Sequence, residues 1–336
     1  MEREKDIGLE ELDGFQLPSD VTEDFLTRMQ KSNELLGMVS TTTLQRLEQE
    51  VPKFGVPMLS GGVRDEEGSR TDASDAESGH VKFDATDQNY YILVEPKRDA
   101  LKNTHQGVGG MGEVIINEFI ERWANDVALI GMRASAGGGN LEDLVDRPEL
   151  DDRFDGWIAI AEGADADSDR IGLEDTDAAE VDSMPEYDNT DGEGNAQGVD
   201  TETFHRSIQT LDSRYRDPDS VSFMTSPDVV QEYYYDVTGR EDGLGAAVLQ
   251  GSNDVTPFEY DVVGIPGWPS EYMMLTDPEN LAYGLFEDME LDQTTDTDKV
   301  HEDRLHSRNW LEGQFDFQIS ELQAGVLTTG IEDPVA

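Results

Sequence analysis

Between Gly112 and Ala134 the apolar residues Val114, Ile115, Phe119, Ile120, Trp123, Val127 and Ile130 recur at i, i+4 or i+5, and i+8. With about 3.6 residues per turn, that spacing keeps them on one face. The segment reads as a long amphipathic helix, and Ala134 to Gly139, a run of small residues and glycines, stops it. Any fold for this chain has to accommodate that helix.

Upstream, residues 1–53 mix polar residues with Phe25, Met29, Leu35, Leu36, Leu44 and Leu47. This pattern suits short helices on an extended arm that encloses no core of its own. Strands are expected from Phe54 to Leu59 and again from Val81 through Phe83 and Tyr90 to Val94, on either side of a polar stretch from Ser60 to Gly79. Two strands about a long polar tip make a projecting hairpin. Downstream, Trp157 to Ala161 is a short apolar strand or helix. The most acidic stretch, Glu162 to Asp200, has few apolar residues and reads as a solvated loop.

From Thr201 the pattern sharpens. Phe204, Ile208, Leu211 and Tyr215 form a helical stripe, and Val221 to Thr225 reads as a strand. Ser226-Pro227 then starts a helix, with a capping hydroxyl and a proline in the first turn; that helix carries Val229, Val230, Tyr233 and Tyr234. Strands at Tyr260 to Ile265, Met273 to Leu275 and Leu281 to Phe286 complete a compact α+β unit. Alternation at Phe315, Phe317 and Ile319, followed by Ala324 to Thr329, predicts a closing antiparallel pair.

Acidic residues run through all of these segments. The 75 Asp+Glu against 24 Lys+Arg give a formal charge of -51 over 336 residues, far beyond the magnitude of about 2–8 that keeps a small domain soluble. In dilute buffer such charge pushes a fold apart. Near 1 M salt the Debye length falls to about 3 Å, so self-repulsion is screened while the carboxylates stay hydrated. The charge is tolerable only in concentrated salt, and its spread through every segment makes it a property of the whole surface rather than of an acidic tail. Hydrophobic content of 36% with 8% aromatics is low, yet the periodic segments are long enough to form a core, and the length suggests two or three substructures.

An acidic surface repels phosphate, which disfavours direct nucleic-acid recognition. The N-terminal stretch from Met1 to Glu11 has no apolar h-region, and nothing approaches the ~20 apolar residues of a membrane helix. A protein made and kept in the cytoplasm, at least at first, with no membrane partner, is expected.

The absence of Cys removes disulfides, thiolate metal sites and cysteine nucleophiles together. In His301-Glu302-Asp303-Arg304-Leu305-His306 the histidines stand five apart, about 140° around a helix where a zinc protease box needs about 40°. One zinc therefore cannot take both. Gly107, Gly109 and Gly112 match G-x-G-x-x-G, but the preceding strand ends near Val94 and no second strand with an acidic residue follows. A hinge ahead of the long helix explains the same glycines. Asp165, Asp167 and Asp169 begin like a calcium loop, yet Arg170 stands where a glycine is needed and Thr176 where a bidentate Glu is needed. No G-x-S-x-G elbow is present. The expectation is a protein that is not an enzyme, with no catalytic, cofactor-binding or metal-ligating residues and at most loosely bound cations.

Three stretches point further. One is Phe25 to Val39, FLTRMQKSNELLGMV; another is Asp126-Val127-Ala128-Leu129-Ile130-Gly131-Met132, followed by Gly156-Trp157-Ile158. The third is Val262-Val263-Gly264-Ile265-Pro266, followed by Met274-Leu275-Thr276-Asp277-Pro278-Glu279-Asn280-Leu281. In this order and with these gaps the chain resembles the major capsid proteins of tailed viruses, the Hong Kong 97 fold, and most closely the branch found in P-two-like phages. The resemblance covers nearly the whole chain. It implies an α+β fold in which residues 1–53 are an N-terminal arm and 54–98 an extended loop. Residues 99–199 are then a peripheral domain with a spine helix at 112–134 and an acidic loop at 162–200, residues 200–286 an axial domain, and 287–336 strands returning to the peripheral domain.

The resemblance also implies self-assembly, as hexamers and pentamers, into an icosahedral shell around viral double-stranded DNA. Scaffold, portal and decoration proteins would be further partners, with assembly in the host cytoplasm and residence in the virion capsid. Joined to the acid surplus, it implies a virus of a halophilic archaeon. Many relatives lose an N-terminal segment; this sequence begins at Met1, and cleavage of the arm is not expected of this form. Some relatives crosslink through a loop Lys, an Asn and a nearby Glu. Lys82 supplies the first, nothing identifies the other two, and crosslinks are not expected.

Elementary physics points the same way, because an arm and a hairpin with no core of their own cost ordering entropy that neighbouring copies would offset. The rival classes are a salt-adapted cytoplasmic enzyme, which demands a pocket with perturbed titratable groups, and a surface-layer structural protein, which demands a signal peptide.

Overall fold

The computed structural model describes residues 15–16, 19–55, 77–86, 88–97, 111–135, 153–163, 171–172, 183–238, 256–294, 297–305 and 307–334. A short strand, β1 (Phe15–Gln16), precedes helices α1 (Ser19–Ser32) and α2 (Glu34–Met38). Asn33 divides them by capping the second: its Oδ1 accepts the Leu36 N–H at 3.3 Å, satisfying a first-turn donor. Strands β2 (Ser40–Leu44), β3 (Glu48–Gly55), β4 (Glu77–Asp84) and β5 (Asn89–Val94) follow. The long helix is α3 (Met111–Arg133), as its periodicity predicts.

Trp157 to Ala161 lies in a helix, α4 (Trp157–Glu162), with all five residues buried. Gly163 ends it at φ 99°, a left-handed stop that suits glycine. Next come β6 (Ile171–Gly172), β7 (Glu186–Asp188) and α5 (Thr201–Thr210). Asp200 opens α5 with a capping box: its carboxylate accepts the Thr203 N–H at 2.9 Å while its own N–H donates to Thr203 Oγ1 at 3.3 Å. After β8 (Ser222–Thr225), α6 (Pro227–Thr238) starts where Ser226-Pro227 predicts, with Ser226 Oγ accepting the Val229 N–H at 3.2 Å. The chain closes with β9 (Asp261–Gly264), β10 (Met273–Thr276), β11 (Leu281–Phe286), β12 (Glu290–Thr294), α7 (Asp298–Glu302), β13 (Arg308–Ile319) and β14 (Gly325–Thr329).

Three sheets organise the described strands. The largest runs β1-β12-β13-β11-β2, with β5 also paired to β13; only β2, against β11, is parallel within it. The second runs β7-β14-β10-β8-β9, parallel at its two outer pairs. The third is the hairpin β3–β4, joined at two residues by β6.

This pairing corrects four expectations. The strand run from Val81 to Val94 is two strands, and β5 leaves the hairpin to pair with β13 in the register Asn89↔Gln314 to Val94↔Asn309. The hairpin's first strand begins at Glu48, inside the stretch assigned to the arm. Leu281 to Phe286 does not complete the second sheet: β11 pairs with β13 from Leu281↔Ile319 to Leu285↔Phe315. Ala324 to Thr329 does not pair with Phe315 to Ile319 either, since β14 lies between β10 and β7. The chain thus crosses between the two larger sheets from β10 to β11 and again from β13 to β14. Within the acidic stretch from Glu162 to Asp200, residues 186–188 form a strand rather than a solvated loop.

The N-terminal helices also differ from an arm awaiting a partner. Phe25, Leu26, Met29, Leu35, Leu36 and Val39 are buried in the main core of the same chain, together with α3, α4 and the inner face of β13. Trp123 of α3 is the centre of that core, its ring edge-on to Phe25, Tyr90 and Phe315 at 5.3–6.1 Å. Its indole N–H donates to Tyr283 OH at 3.2 Å, so the one polar atom of a fully buried ring is satisfied. A second core joins α5, α6 and the second sheet through Phe204, Phe223, Tyr233 and Tyr260.

Candidate functional site

The chemical motifs of the sequence do not come together. His301 lies in α7, which ends at Glu302; Arg304, at φ 53°, then turns the chain, and His306 is outside the described residues. Gly112 falls inside the first turn of α3 rather than ahead of it, while Gly107 and Gly109, like Asp165, Asp167 and Asp169, lie outside the described residues. Among the described residues no three His, Asp or Glu side chains are grouped as a metal ion would require. No described helix is long and apolar enough to cross a membrane.

A half-buried acid stands at the end of α4. Burial raises the Glu162 carboxyl above the usual range, the hydroxyl of Tyr272 opposes this by donating to it at 2.8 Å, and the nearby Glu186 adds to the rise. Tyr272 is pushed up in turn, by burial first and then by Glu162. The pair ties α4 to the segment leading into β10.

The hairpin β3–β4 has a core cluster separate from the two larger ones. Its eight register pairs run from Glu48↔Asp84 to Gly55↔Glu77, a ladder of roughly 25 Å. Its base is packed: Val81, Phe83 and Ala85 sit with Leu44 and Ala282 in a small cluster of their own. Gly284 makes this possible, since a Cβ there would stand 2.8 Å from the Phe83 ring. Asp84 N–H donates to the fully buried Asp316 at 2.9 Å, fixing the base to β13. Beside the base lies an open depression lined by polar and charged side chains, among them Arg46, Gln49, Glu50 and Lys82. The outer edge of β3 has no ladder partner among the described residues, a row of backbone groups ready to pair with another chain.

Exposed aromatics mark further surface. Tyr91 on β5, Tyr235 on α6 and Phe258 before β9 are 61%, 74% and 46% exposed. Phe258 and Glu259 both take left-handed backbone, φ 56° and 73°, which costs a non-glycine residue on the order of 1 kcal/mol or more. Sequence reading missed these; the alternation of β5, with Tyr90 inward and Tyr91 outward, carried the signal for one of them.

Neither a protein-family model nor a curated protein sequence matches the chain. Solved structures do. A chain of the satellite phage P4 procapsid that includes the size determination (Sid) protein is similar at 15% identity and TM-score 0.65, over 96% of this chain and 95% of that one. The capsid of the native GTA particle is similar at 11% identity and TM-score 0.56, over 99% and 96%. The capsid asymmetric unit of cyanophage A-1(L) is similar at 11% identity and TM-score 0.55, over 89% and 92%. The class is set by these likenesses: a mixed α+β chain with the fold of phage capsid subunits, the Hong Kong 97-like fold. It spans nearly the full length of those subunits.

Proposed function

We propose that this chain is the major capsid protein of a tailed virus, of the Hong Kong 97 fold and the P-two-like branch, and that it assembles from hexamers and pentamers into the icosahedral head around double-stranded DNA. The observation that carries this reading is the likeness to capsid subunits over nearly the whole of both chains, including one at TM-score 0.65. The hairpin β3–β4 fits the role, since an edge with no ladder partner among the described residues and a packed base suit an element that rests on a neighbouring copy. On this reading the hairpin is the extended loop, α3 the spine of the peripheral domain, and the sheet built around β10 the axial domain. The charge of -51 supports a virus of a halophilic archaeon, assembled in its cytoplasm. Scaffold, portal and decoration proteins would be its other partners.

The test is direct. The full chain is expressed and purified in molar KCl and imaged by negative stain. Shells, tubes or capsomer rings are expected, whereas a monodisperse monomer or dimer under every salt and protein concentration would refute the proposal.

A further inference from the structure

A strap joins the two cores. Ile265 to Tyr272 links β9 to β10, both strands of the second sheet, yet Ile265, Trp268 and Tyr272 are buried in the main core with residues of α3 and α4. Within the strap the Trp268 backbone N–H donates to the Ile265 carbonyl at 3.1 Å, and the Trp268 indole N–H donates to the Tyr272 carbonyl at 3.0 Å. Side-chain bonds tie it to both helices. Arg133, in the last turn of α3, donates to the Gly267 carbonyl at 2.7 Å, and the Tyr272 hydroxyl donates to Glu162, the last residue of α4, at 2.8 Å.

The two ties differ in what can weaken them. The Arg133 guanidinium keeps its charge at any working pH. Glu162 is a part-buried carboxyl, and the charged group acting on it is another acid, Glu186 of β7; Glu186 and the strap's own Glu271 also act on Tyr272. Of the other elements packed on α4, α3 brings Arg133, β14 carries no titratable side chain, and β13 turns Phe317 to Trp157 while its Asp316 bonds Asp84 of the hairpin. Arg153 and Asp155 precede the opposite end of α4. A closed strap therefore costs an ionised Glu162 part of its hydration and holds it near a like charge, whereas the protonated acid avoids both. Salt screens the repulsion but does not restore the lost hydration, so the difference persists in brine.

We propose that Glu162 makes the strap a proton-sensitive latch between the two cores, held more firmly when the carboxyl is protonated and loosened when it ionises. The sign follows from linkage: the closed strap holds the carboxyl above its ordinary value of 4.5 and an open one returns it to that value, so a fall in pH from neutral towards 4.5 favours closure. The latch belongs to the single subunit and stands whether or not copies assemble. Hydrogen exchange of residues 265–276, followed by mass spectrometry on the unassembled full chain in molar KCl and corrected for the intrinsic rate, should be several-fold slower at pH 5.5 than at pH 7.5. Glu162→Gln, a neutral isostere, should be as protected at pH 7.5 as the parent is at pH 5.5 and should lose the pH dependence. Glu232→Gln removes the same charge from the exposed face of α6 and should keep it. Tyr272→Phe should exchange faster than the parent at both pH values; if that variant does not fold, the Glu162→Gln slope decides alone. A parent whose exchange ignores pH, a Glu162→Gln variant that keeps the parent's slope, or a Tyr272→Phe variant as protected as the parent would overturn the latch.

Discussion

Asn280 and Glu321 hold each other by a two-way amide pair: Asn280 Nδ2 donates to the Glu321 carbonyl at 2.9 Å and the Glu321 N–H donates to Asn280 Oδ1 at 2.8 Å. They stand where the chain crosses between the two large sheets, Asn280 between β10 and β11, Glu321 between β13 and β14. Asn280 Nδ2 also donates to Thr276 Oγ1 at 3.0 Å, and the Asn280 carbonyl accepts the Ser320 N–H at 2.8 Å. One side chain thus pins both crossings.

Asn280→Ala should therefore cost about 2–4 kcal/mol, because it strands two part-buried backbone groups of Glu321 as well as removing its own bonds. Asn280→Asp keeps the acceptor but loses both donors and should be no better. Urea unfolding in molar KCl, followed by tryptophan fluorescence, measures this; an unchanged midpoint for Asn280→Ala would remove the pin from the account.

Gly131 and Gly156 are a second close approach. A Cβ on Gly131 would stand 2.6 Å from Trp157 and 2.8 Å from Phe317, and a Cβ on Gly156 would stand 2.5 Å from the Gly131 carbonyl. Gly156 N–H meanwhile donates to Ala134 O at 2.9 Å. Neither contact can yield without moving α3 away from α4. Gly156→Ala should be the worse of the two, since it meets backbone, and each should lose at least about 1–3 kcal/mol, the usual range for overpacking. Thermal melting of the two variants against the parent checks the order.

These glycines show how far the sequence could be read. The long helix was legible because seven apolar residues keep one period, and α6 because Ser226-Pro227 carries its own start signal. The sheet exchange was not, because β10 and β11 are buried along nearly their whole lengths, and a short run apolar on both faces does not say which sheet it joins. The buried role of Phe25, Met29 and Leu36 was half visible: they enclose no core themselves, but the core they complete belongs to their own chain. The alternation of β5 pointed Tyr91 outward, but Phe258 had no such pattern to announce it, since exposure depends on what is left uncovered after all strands are placed.

Alkaline pH should loosen the main core through Tyr283. Burial holds its phenol far above the ordinary value of 10.0, and the opposing donation from Trp123 is the smaller effect. Below about pH 10 the phenol is protonated in both folded and unfolded chains, and its contribution is intact. Above that, the unfolded chain releases the proton and the folded one does not, so stability falls by up to about 1.4 kcal/mol per pH unit. Tyr283→Phe leaves the Trp123 N–H without its acceptor and lowers stability at pH 8 by about 1–3 kcal/mol, yet its decline between pH 9.5 and 11 should be shallower. Parallel declines in the two proteins would assign the alkaline loss elsewhere.

Replacing residues 65–78 with a short Gly-Ser turn should separate folding from assembly. The packed base of the hairpin, Val81, Phe83 and Ala85 against Leu44 and Ala282, is left in place. Circular dichroism and the urea midpoint of the subunit should thus stay near the parent values while particle formation is impaired. Normal particles from this variant would remove the hairpin from the contacts between copies.

Salt should control assembly as well as folding. Few of the chain's acids have a cation to meet, and among the described residues the pairs Arg122–Glu118 and Arg206–Glu202 are exposed one-turn contacts on helices, worth about 0.3–0.5 kcal/mol each. They cannot offset a charge of -51. Bringing copies together raises the local density of that charge, so contacts between subunits depend on screening more steeply than the fold of one subunit does. Lowering KCl stepwise from molar concentration should release subunits first, seen as loss of fast-sedimenting material, and unfold them at a lower salt, seen in tryptophan fluorescence. Particles that stay intact in dilute buffer without added cations would show that the acid surplus places no condition on the contacts between copies.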